Sequence, residues 1–281
     1  MPFLKKILNF YIFSNIHVSI AGFCLTKITL FKFGIVDNLT PFFVLFSIII
    51  SYNFIRFFEI KKERLNWFKK WFFEYRYLLL ILSILSILGL GYIIFFTKFN
   101  FNSFVILFPF AFMTFFYVLP LFKIGNIEVS FRNFPSIKII SIALAWAGIT
   151  VFFPLFDAGY EFTSSVYIEF IQRFLILISI TIPFDIRDVS VDPRSLKTLP
   201  QLVGVGISKI IGYLLLLVVV LLEFYMSNVL KTSSYILIAI ALITMLFLAF
   251  STLKRNRYYT SFWVEAIPIL WFTLIVVFSQ K

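Results

Sequence analysis

Charged residues are scarce in this sequence, at 14% of 281 residues, whereas soluble domains usually carry about 25%. Hydrophobic residues make up 61% of the chain, and the mean hydropathy is +1.00. A chain this poor in charge cannot cover the surface of an ordinary soluble domain. The composition therefore predicts a protein with several membrane-spanning segments.

Cysteine and histidine are almost absent, with one residue of each. Cys24 has no partner for an internal disulfide, and its apolar surroundings predict a thiol packed inside a helix bundle. His17 alone excludes the histidine-rich di-iron sites of membrane desaturases and argues against a haem held by paired histidines. His17 falls inside the first apolar segment, where a functional role and a helix-packing role are both open.

Acidic residues are outnumbered by basic ones, 13 to 25, which gives a net charge of +12. In a soluble protein this excess would suggest a nucleic-acid partner. In a membrane protein the cytoplasmic loops accumulate Lys and Arg, which explains the excess without nucleic acid. We therefore expect a lipid bilayer, and no nucleic acid, as the environment of the chain.

Nine apolar runs have the length of about 20 residues that a transmembrane helix needs. They cover residues 12–31, 39–58, 77–97, 103–122, 135–156, 165–183, 207–226, 232–251 and 260–278. The longest polar stretches between them are loops at 59–76, 123–134 and 184–206. The sequence therefore predicts one all-α transmembrane domain over 1–281, a polytopic bundle of about nine helices.

The distribution of basic residues predicts the orientation of this bundle. Nineteen of the 25 lysines and arginines fall on the side of the N-terminus, and all three long loops lie there. The positive-inside rule places this side, with the N-terminus, in the cytoplasm and the C-terminus outside. Lys5 and Lys6 precede a long apolar run without a small-residue cleavage site, which favours a first transmembrane helix over a signal peptide. We expect a bacterial inner (plasma) membrane.

Six charges stand close together in residues 183–204, PFDIRDVSVDPRSLKTLPQLVG. The aspartates Asp185, Asp188 and Asp192 are spaced i, i+3 and i+7, so they share one face of a helix. Three carboxylates this close repel one another unless a cation such as Mg²⁺, which prefers oxygen ligands and substrate phosphates, neutralises them. The neighbouring cations that suit the remaining phosphate oxygens are Arg187, Arg194 and Lys197. Spacing alone leaves two interpretations open, a diphosphate clamp and a solvated loop that neutralises itself.

This loop resembles the second aspartate-rich motif of the UbiA superfamily of intramembrane prenyltransferases. The family pattern is D-x-x-D-x-x-x-D followed by a basic residue and Thr-Leu-Pro, often closing near Val-Gly. The three aspartates match it, and so does the run Lys197, Thr198, Leu199 and Pro200, whereas Ser195 stands where Gly is common. The nine segments, the loop's place between segments six and seven, and LPLFKIG…PSIKIISIALAWA at the start of segment five are also similar to the family.

The resemblance implies an enzyme that transfers a polyprenyl group from its diphosphate to a small acceptor, commonly an aromatic compound of quinone biosynthesis. It implies Mg²⁺ on Asp185, Asp188 and Asp192, with Asp188, Asp192 and Lys197 as the catalytic residues. The residues that it places on the diphosphate are Asn53, Arg56, Lys138, Arg187 and Arg194.

The family's first motif, Asn-x-x-x-Asp-x-x-x-Asp, is degenerate in this chain, although the family associates one Mg²⁺ with each motif. Asn53 is in place, but Phe57 and Lys61 occupy the two aspartate positions. The nearby carboxylates are Glu59 and Glu63, which with Arg56 share a helix face. They favour a salt-bridged helix extension over replacement metal ligation by glutamates such as Glu59.

This departure leaves three outcomes open: an enzyme with altered metal use, Arg56 or Lys61 in place of one cation, and prenyl binding without turnover. The competing class is a transporter-like membrane protein, with Glu169, Arg173, Glu223 and Glu265 as its candidate residues. Glu169 and Arg173 are expected to pair at i, i+4, and the other two to lie near the interfaces. The concentration of charge on one membrane side favours the prenyltransferase.

Overall fold

The computed structural model of the chain describes residues 2–61, 66–124, 127–134, 136–226 and 230–278. Apart from a hairpin of β1 (Phe122–Ile124) and β2 (Ile127–Val129), the regular structure of this part is helical. The helices are α1 (Pro2–Phe13), α2 (Ile16–Lys32), α3 (Leu39–Lys61), α4 (Asn66–Phe96), α5 (Ser103–Phe115), α6 (Lys138–Ala147), α7 (Phe153–Asp157), α8 (Ser164–Asp188), α9 (Leu199–Met226), α10 (Thr232–Ala249) and α11 (Ile267–Phe278).

Each of the nine predicted segments coincides with one of these helices or with a joined pair, which confirms the all-α membrane bundle. Within the described residues, seven spans are long and apolar enough to cross a bilayer. They are Leu39–Lys61, Phe68–Phe96, Lys138–Asp157, Ser164–Asp188, Leu199–Met226, Thr232–Ala249 and Tyr259–Phe278. The pair α1 and α2, bent by 53°, gives an eighth. The predicted number of nine is therefore approximate, since α5 has only 13 residues.

The predicted segment 103–122 is too long because its second half folds back against the hairpin. The backbone N–H groups of Phe131 and Arg132 donate to the carbonyls of Phe116 and Tyr117. Because these two carbonyls accept hydrogen bonds from residues after β2, they do not continue the helix, and α5 ends at Phe115. The predicted start of the next segment, Pro135, lies outside the described residues.

Three of the breaks in regular α-helix lie at an asparagine or a glycine. Asn15, between α1 and α2, has the left-handed φ of 69°, which asparagine tolerates better than most residues. A π-helical turn at Gly148–Phe152 joins α6 to α7, and a Cβ at Gly148 would lie within 2.3 Å of the Phe110 ring. In α9, Gly204 has φ 82° and ψ 163°, a conformation that is essentially restricted to glycine. The breaks thus fall where the sequence supplies a permissive residue.

The largest apolar core lies between α2, α6, α8, α9, α10 and α11, where Leu25, Ile176, Leu216 and Ile240 are fully buried. The outer faces of α4 and α9 expose leucines instead of polar residues. Such faces suit contact with lipid tails, which are as apolar as leucine. Helix α8 lies in the middle of this arrangement and carries charged residues at both of its ends.

At the N-terminal end of α8, three buried charges and the partly exposed Lys32, from three helices, pair with one another. Arg173 donates to Glu169 at 2.8 Å and also to the carbonyl of Leu25 at 2.8 Å. Lys32 at the end of α2 lies 2.7 Å from Glu169 and 3.4 Å from Glu223 of α9. The predicted pairing of Glu169 with Arg173 is confirmed.

Glu223 completes this cluster from the last turns of α9. Its carboxylate accepts hydrogen bonds from Gln172 at 3.0 Å and from Ser234 of α10 at 2.7 Å. Glu223 lies near a helix end, as expected, but it is buried between helices rather than exposed at the interface. A charge in this environment is stable only with partners, and the cluster therefore fixes α2, α8, α9 and α10 relative to one another.

We expect Arg173→Met to lower the free energy of unfolding by about 3–5 kcal/mol, because it leaves a buried carboxylate with one cation fewer. The measurement is thermal or denaturant unfolding of the purified protein in detergent. Lys231→Met is the matched control, since Lys231 is exposed near the same end of the bundle. Equal stability of the two variants would contradict a structural role for the cluster.

Candidate functional site

The aspartate-rich loop begins in the last turn of α8 and keeps helical geometry beyond it. The N–H of Asp192 donates to the carbonyl of Asp188 at 2.7 Å, which adds a turn that holds Asp192 on the side of Asp185. Gln201 of α9 holds the other end of the loop through two hydrogen bonds. Its side-chain NH₂ group donates to the Asp192 carbonyl at 2.9 Å, and its side-chain oxygen accepts from the Thr198 N–H at 3.0 Å. The loop is therefore held at both of its ends.

Lys138, the first residue of α6, lies between two of the aspartates. Its Nζ is 2.9 Å from Asp185 Oδ1 and 2.7 Å from Asp192 Oδ2, and all three side chains are largely buried. The second oxygen of Asp185 is buried without a hydrogen-bond partner among the described residues. Two carboxylates and one ammonium form a cluster with an excess of one negative charge.

Asp188 turns away from this cluster and pairs with its neighbour Arg187. Arg187 Nε and Nη2 donate to the two Asp188 oxygens at 2.8 and 2.7 Å, a bidentate pair. The remaining Nη1 donates to the hydroxyls of Thr260 and Ser261, which begin the last span. The sequence predicts that all three carboxylates share one helix face. Those of Asp185 and Asp192 meet at Lys138, whereas that of Asp188 pairs with Arg187 instead.

On the α3 side, Asn53 and Arg56 are linked through the residue at the break between α1 and α2. Asn15 Nδ2 donates to Asn53 Oδ1 at 2.8 Å, and Asn15 Oδ1 accepts from Arg56 Nε at 2.7 Å. Asn53 Nδ2 in turn donates to Ser83 Oγ of α4 at 3.0 Å. Both polar atoms of the Asn53 side chain are thus engaged, and Arg56 has a fixed orientation.

Glu59 forms a buried salt bridge with Arg132, which follows β2. The Arg132 guanidinium also lies 5.9 Å from the ring centre of Tyr117. Burial works against the charge of Arg132, but Glu59 and Tyr117 outweigh it and raise the pKa of the guanidinium. The salt-bridged interpretation of this helix end is correct for Glu59, although its partner is Arg132, since Asn15 holds Arg56 elsewhere. Glu63 lies outside the described residues.

The α3 side and the aspartate loop share one electrostatic environment. Arg132 interacts with the charge of Asp192 as well as with Glu59. His17, two residues after the Asn15 that holds Arg56, meets the carbonyl of Phe262, and Arg187 donates to the adjacent Thr260 and Ser261. The two predicted halves of the site therefore meet at the same end of the bundle.

Two predicted site residues stand apart from this environment. Arg194 and Lys197 are both exposed, and within the described ranges neither side chain has an ion pair or hydrogen bond. Lys197 has a left-handed φ of 46° at the end of a 3₁₀ turn over Arg194–Leu196. Their roles in catalysis and diphosphate binding stay predictions.

The site has two halves: the α8 half is the aspartate loop with Lys138, and the α3 half is Asn53–Lys61 with Arg132. These halves differ in how well they suit a metal ion. Across the described part of the chain, no three or more His, Cys, Asp or Glu side chains form a group able to hold one. Asp185 and Asp192 nevertheless suit Mg²⁺, which needs only one or two carboxylates when phosphate oxygens and water complete its shell. The α3 half does not suit a metal, because Asn53 and Glu59 are engaged and Phe57 and Lys61 replace the aspartates.

Sequence reasoning missed several residues that build this site. Asn15, Tyr117, Arg132 and Gln201 come from four segments, and no spacing in the sequence links them to the aspartates. The sequence indicates Glu265 only as a candidate transporter residue. Asn15 alone could have been found from the sequence, because a polar residue inside a membrane segment needs a polar partner.

The Glu59–Arg132 pair can be tested with single and double variants. We expect Glu59→Gln and Arg132→Gln each to lower the free energy of unfolding by roughly 3 kcal/mol, because each leaves one buried charge unpaired. The double variant should recover most of this loss, as measured by unfolding in detergent. Additive losses would show that Glu59 does not depend on Arg132, as a metal-ligating glutamate would not.

No known family model and no curated protein sequence matches the chain. Among solved structures, the chain is similar to a UbiA homolog from Archaeoglobus fulgidus bound to GPP and Mg²⁺, with a TM-score of 0.61. The similarity covers 94% of this chain and 97% of that one at 19% identity. An all-α membrane bundle that is superimposable over nearly its whole length leads to one conclusion: the protein has the UbiA fold.

Proposed function

We propose that the protein is an intramembrane prenyltransferase that transfers a polyprenyl group from its diphosphate to a small acceptor with the help of Mg²⁺. The observation that carries the proposal is the Asp185–Lys138–Asp192 cluster, with its unpartnered buried oxygen, in a UbiA fold. Carboxylates suit a magnesium ion, and adjacent cations suit phosphate oxygens. The UbiA homolog of the same fold is described as bound to GPP and Mg²⁺, which agrees with this pairing.

Asp185 and Asp192 would hold the magnesium ion, which supplies neutralisation of the leaving diphosphate. Lys138 and Arg187 donate hydrogen bonds to the phosphate oxygens as the bond from carbon to oxygen breaks. Both cations are pre-oriented, Lys138 by two carboxylates and Arg187 by Asp188. Such fixed donors stabilise developing negative charge without reorganisation during the reaction.

Aromatic residues next to the charged site suit the allylic cation that remains. Tyr52 of α3 interacts with Arg56 and Glu265 and packs edge-on against Trp146 of α6, with ring centres 6.2 Å apart. The faces of such rings attract a cation electrostatically. The apolar residues around them keep out water, which would otherwise quench the cation.

For the acceptor, we propose a small aromatic compound of quinone biosynthesis, because the resemblance of the loop to the prenyltransferase family implies an acceptor of this kind. The excess of Lys and Arg on the side of the loop supports a cytoplasmic active site in a bacterial inner membrane, with the N-terminus inside and the C-terminus outside. The prenyl tail would then lie along apolar helices within the bilayer.

A second candidate is a relative that binds prenyl diphosphate without turnover. The α3 half favours it, because the carboxylates that the resemblance implies there are replaced by Phe57 and Lys61. A transporter is less well supported, since the buried charges Glu169, Arg173 and Glu223 are already satisfied by one another and by their neighbours.

Transfer of a radiolabelled prenyl diphosphate to a panel of aromatic acceptors in membranes tests the proposal. We expect Mg²⁺-dependent transfer that falls about a hundredfold or more in Asp185→Asn and in Asp192→Asn. Glu161→Gln is the control, since Glu161 is exposed at the other end of the bundle. Full activity in both aspartate variants would exclude the clamp. Retention of the diphosphate without transfer to any acceptor would favour the second candidate.

A further inference from the structure

We infer that the protein, if it acts as proposed above, binds diphosphate with one divalent cation on its α8 half. On its α3 half, the guanidinium of Arg56 takes the place of a second cation. The inference rests on the proposed function and specifies its metal requirement. It follows from the unequal fit of the two halves to a metal ion.

Among the described residues of α3, 39–61, there is no free carboxylate. Glu59 is the acidic residue of α3, and it is buried in its salt bridge with Arg132. Phe57 is 52% exposed and Lys61 is exposed as well, so neither position presents a ligand oxygen. Recruiting Glu59 to a metal would leave the Arg132 guanidinium buried without its partner, which is strongly unfavourable.

The charges of the two halves are opposite in sign. On the α8 half, Asp185 and Asp192 outnumber Lys138, which leaves one negative charge. On the α3 half, Glu59 is matched by Arg132, whereas Arg56 donates to the neutral Asn15, so these directly contacting groups carry one positive charge. An excess of negative charge attracts a metal ion, whereas an excess of positive charge repels one and attracts phosphate oxygens.

The side chain of Arg56 is held in one orientation by hydrogen bonds. A chain of hydrogen bonds from Ser83 through Asn53 and Asn15 ends at Arg56 Nε. His17, two residues after Asn15, meets the carbonyl of Phe262, and Arg187 of the aspartate loop donates to the adjacent Thr260 and Ser261. The two guanidinium groups therefore lie at the same end of the bundle, an arrangement suited to a multiply charged anion.

The number of bound metal ions tests this inference directly. The purified wild-type protein in detergent is titrated with Mn²⁺ by electron paramagnetic resonance, in the presence of a saturating non-ionising thiolo analogue of geranyl diphosphate. We expect one bound Mn²⁺ per protein. Two bound ions would overturn the inference and leave the proposed function standing. Failure to retain the analogue with or without Mn²⁺ would overturn both.

The role of Arg56 is tested by the affinity for the same analogue. Arg56→Gln should weaken binding about tenfold or more, because it removes a charge-assisted contact, while the Mn²⁺ count stays at one. Lys70→Gln, the control from an exposed position in the first turns of α4 near the end of α3, should bind within about twofold of wild type. Arg56→Lys keeps the charge and should lose much less affinity than Arg56→Gln, which separates charge from folding. Unchanged affinity in Arg56→Gln would overturn the inference.

Discussion

A charged side chain inside a bilayer needs an opposite charge or a strong hydrogen-bond partner, and this requirement orders both ends of the bundle. At one end, Arg173 is fully buried and meets Glu169 and the Leu25 carbonyl. At the other end, Lys138 meets Asp185 and Asp192. Residues 169 and 185 both lie on α8, about 24 Å apart at the rise of an α-helix. This helix therefore connects the structural cluster at one end of the bundle with the candidate site at the other.

The sequence was sufficient for the helices because lipid imposes a simple rule of length and hydropathy. It failed where backbone groups found partners elsewhere, as at Phe116 and Tyr117, whose carbonyls end α5 early. The motif located the aspartate loop, and its similarity to the family suggested Lys138. Arg132 and Asn15 escaped prediction because their contacts with Glu59 and Arg56 are tertiary, and periodicity carries no information about such contacts.

The candidate site combines a half that matches the aspartate-rich motif that it resembles with a half that does not. On α8 the aspartates remain, and their negative charge is only partly neutralised by Lys138. On α3 the polar positions have become part of the protein's own hydrogen-bond and ion-pair network, through Asn15 and Arg132. The charged and polar groups of this half are therefore satisfied within the protein, since Glu59 pairs with Arg132 and Asn15 accepts a hydrogen bond from Arg56.

Gly204 has a mechanical consequence for the loop. An unbroken helix moves as a rigid rod, so any displacement of its first turn swings its far end. The extended left-handed geometry at Gly204 interrupts that rod five residues after Leu199, where α9 begins. Residues 199–203, with Gln201 hydrogen-bonded to the Asp192 carbonyl, form a short helical segment on the other side of this break. The direction of the segment that holds the loop is therefore independent of the direction of the lipid-facing length of α9.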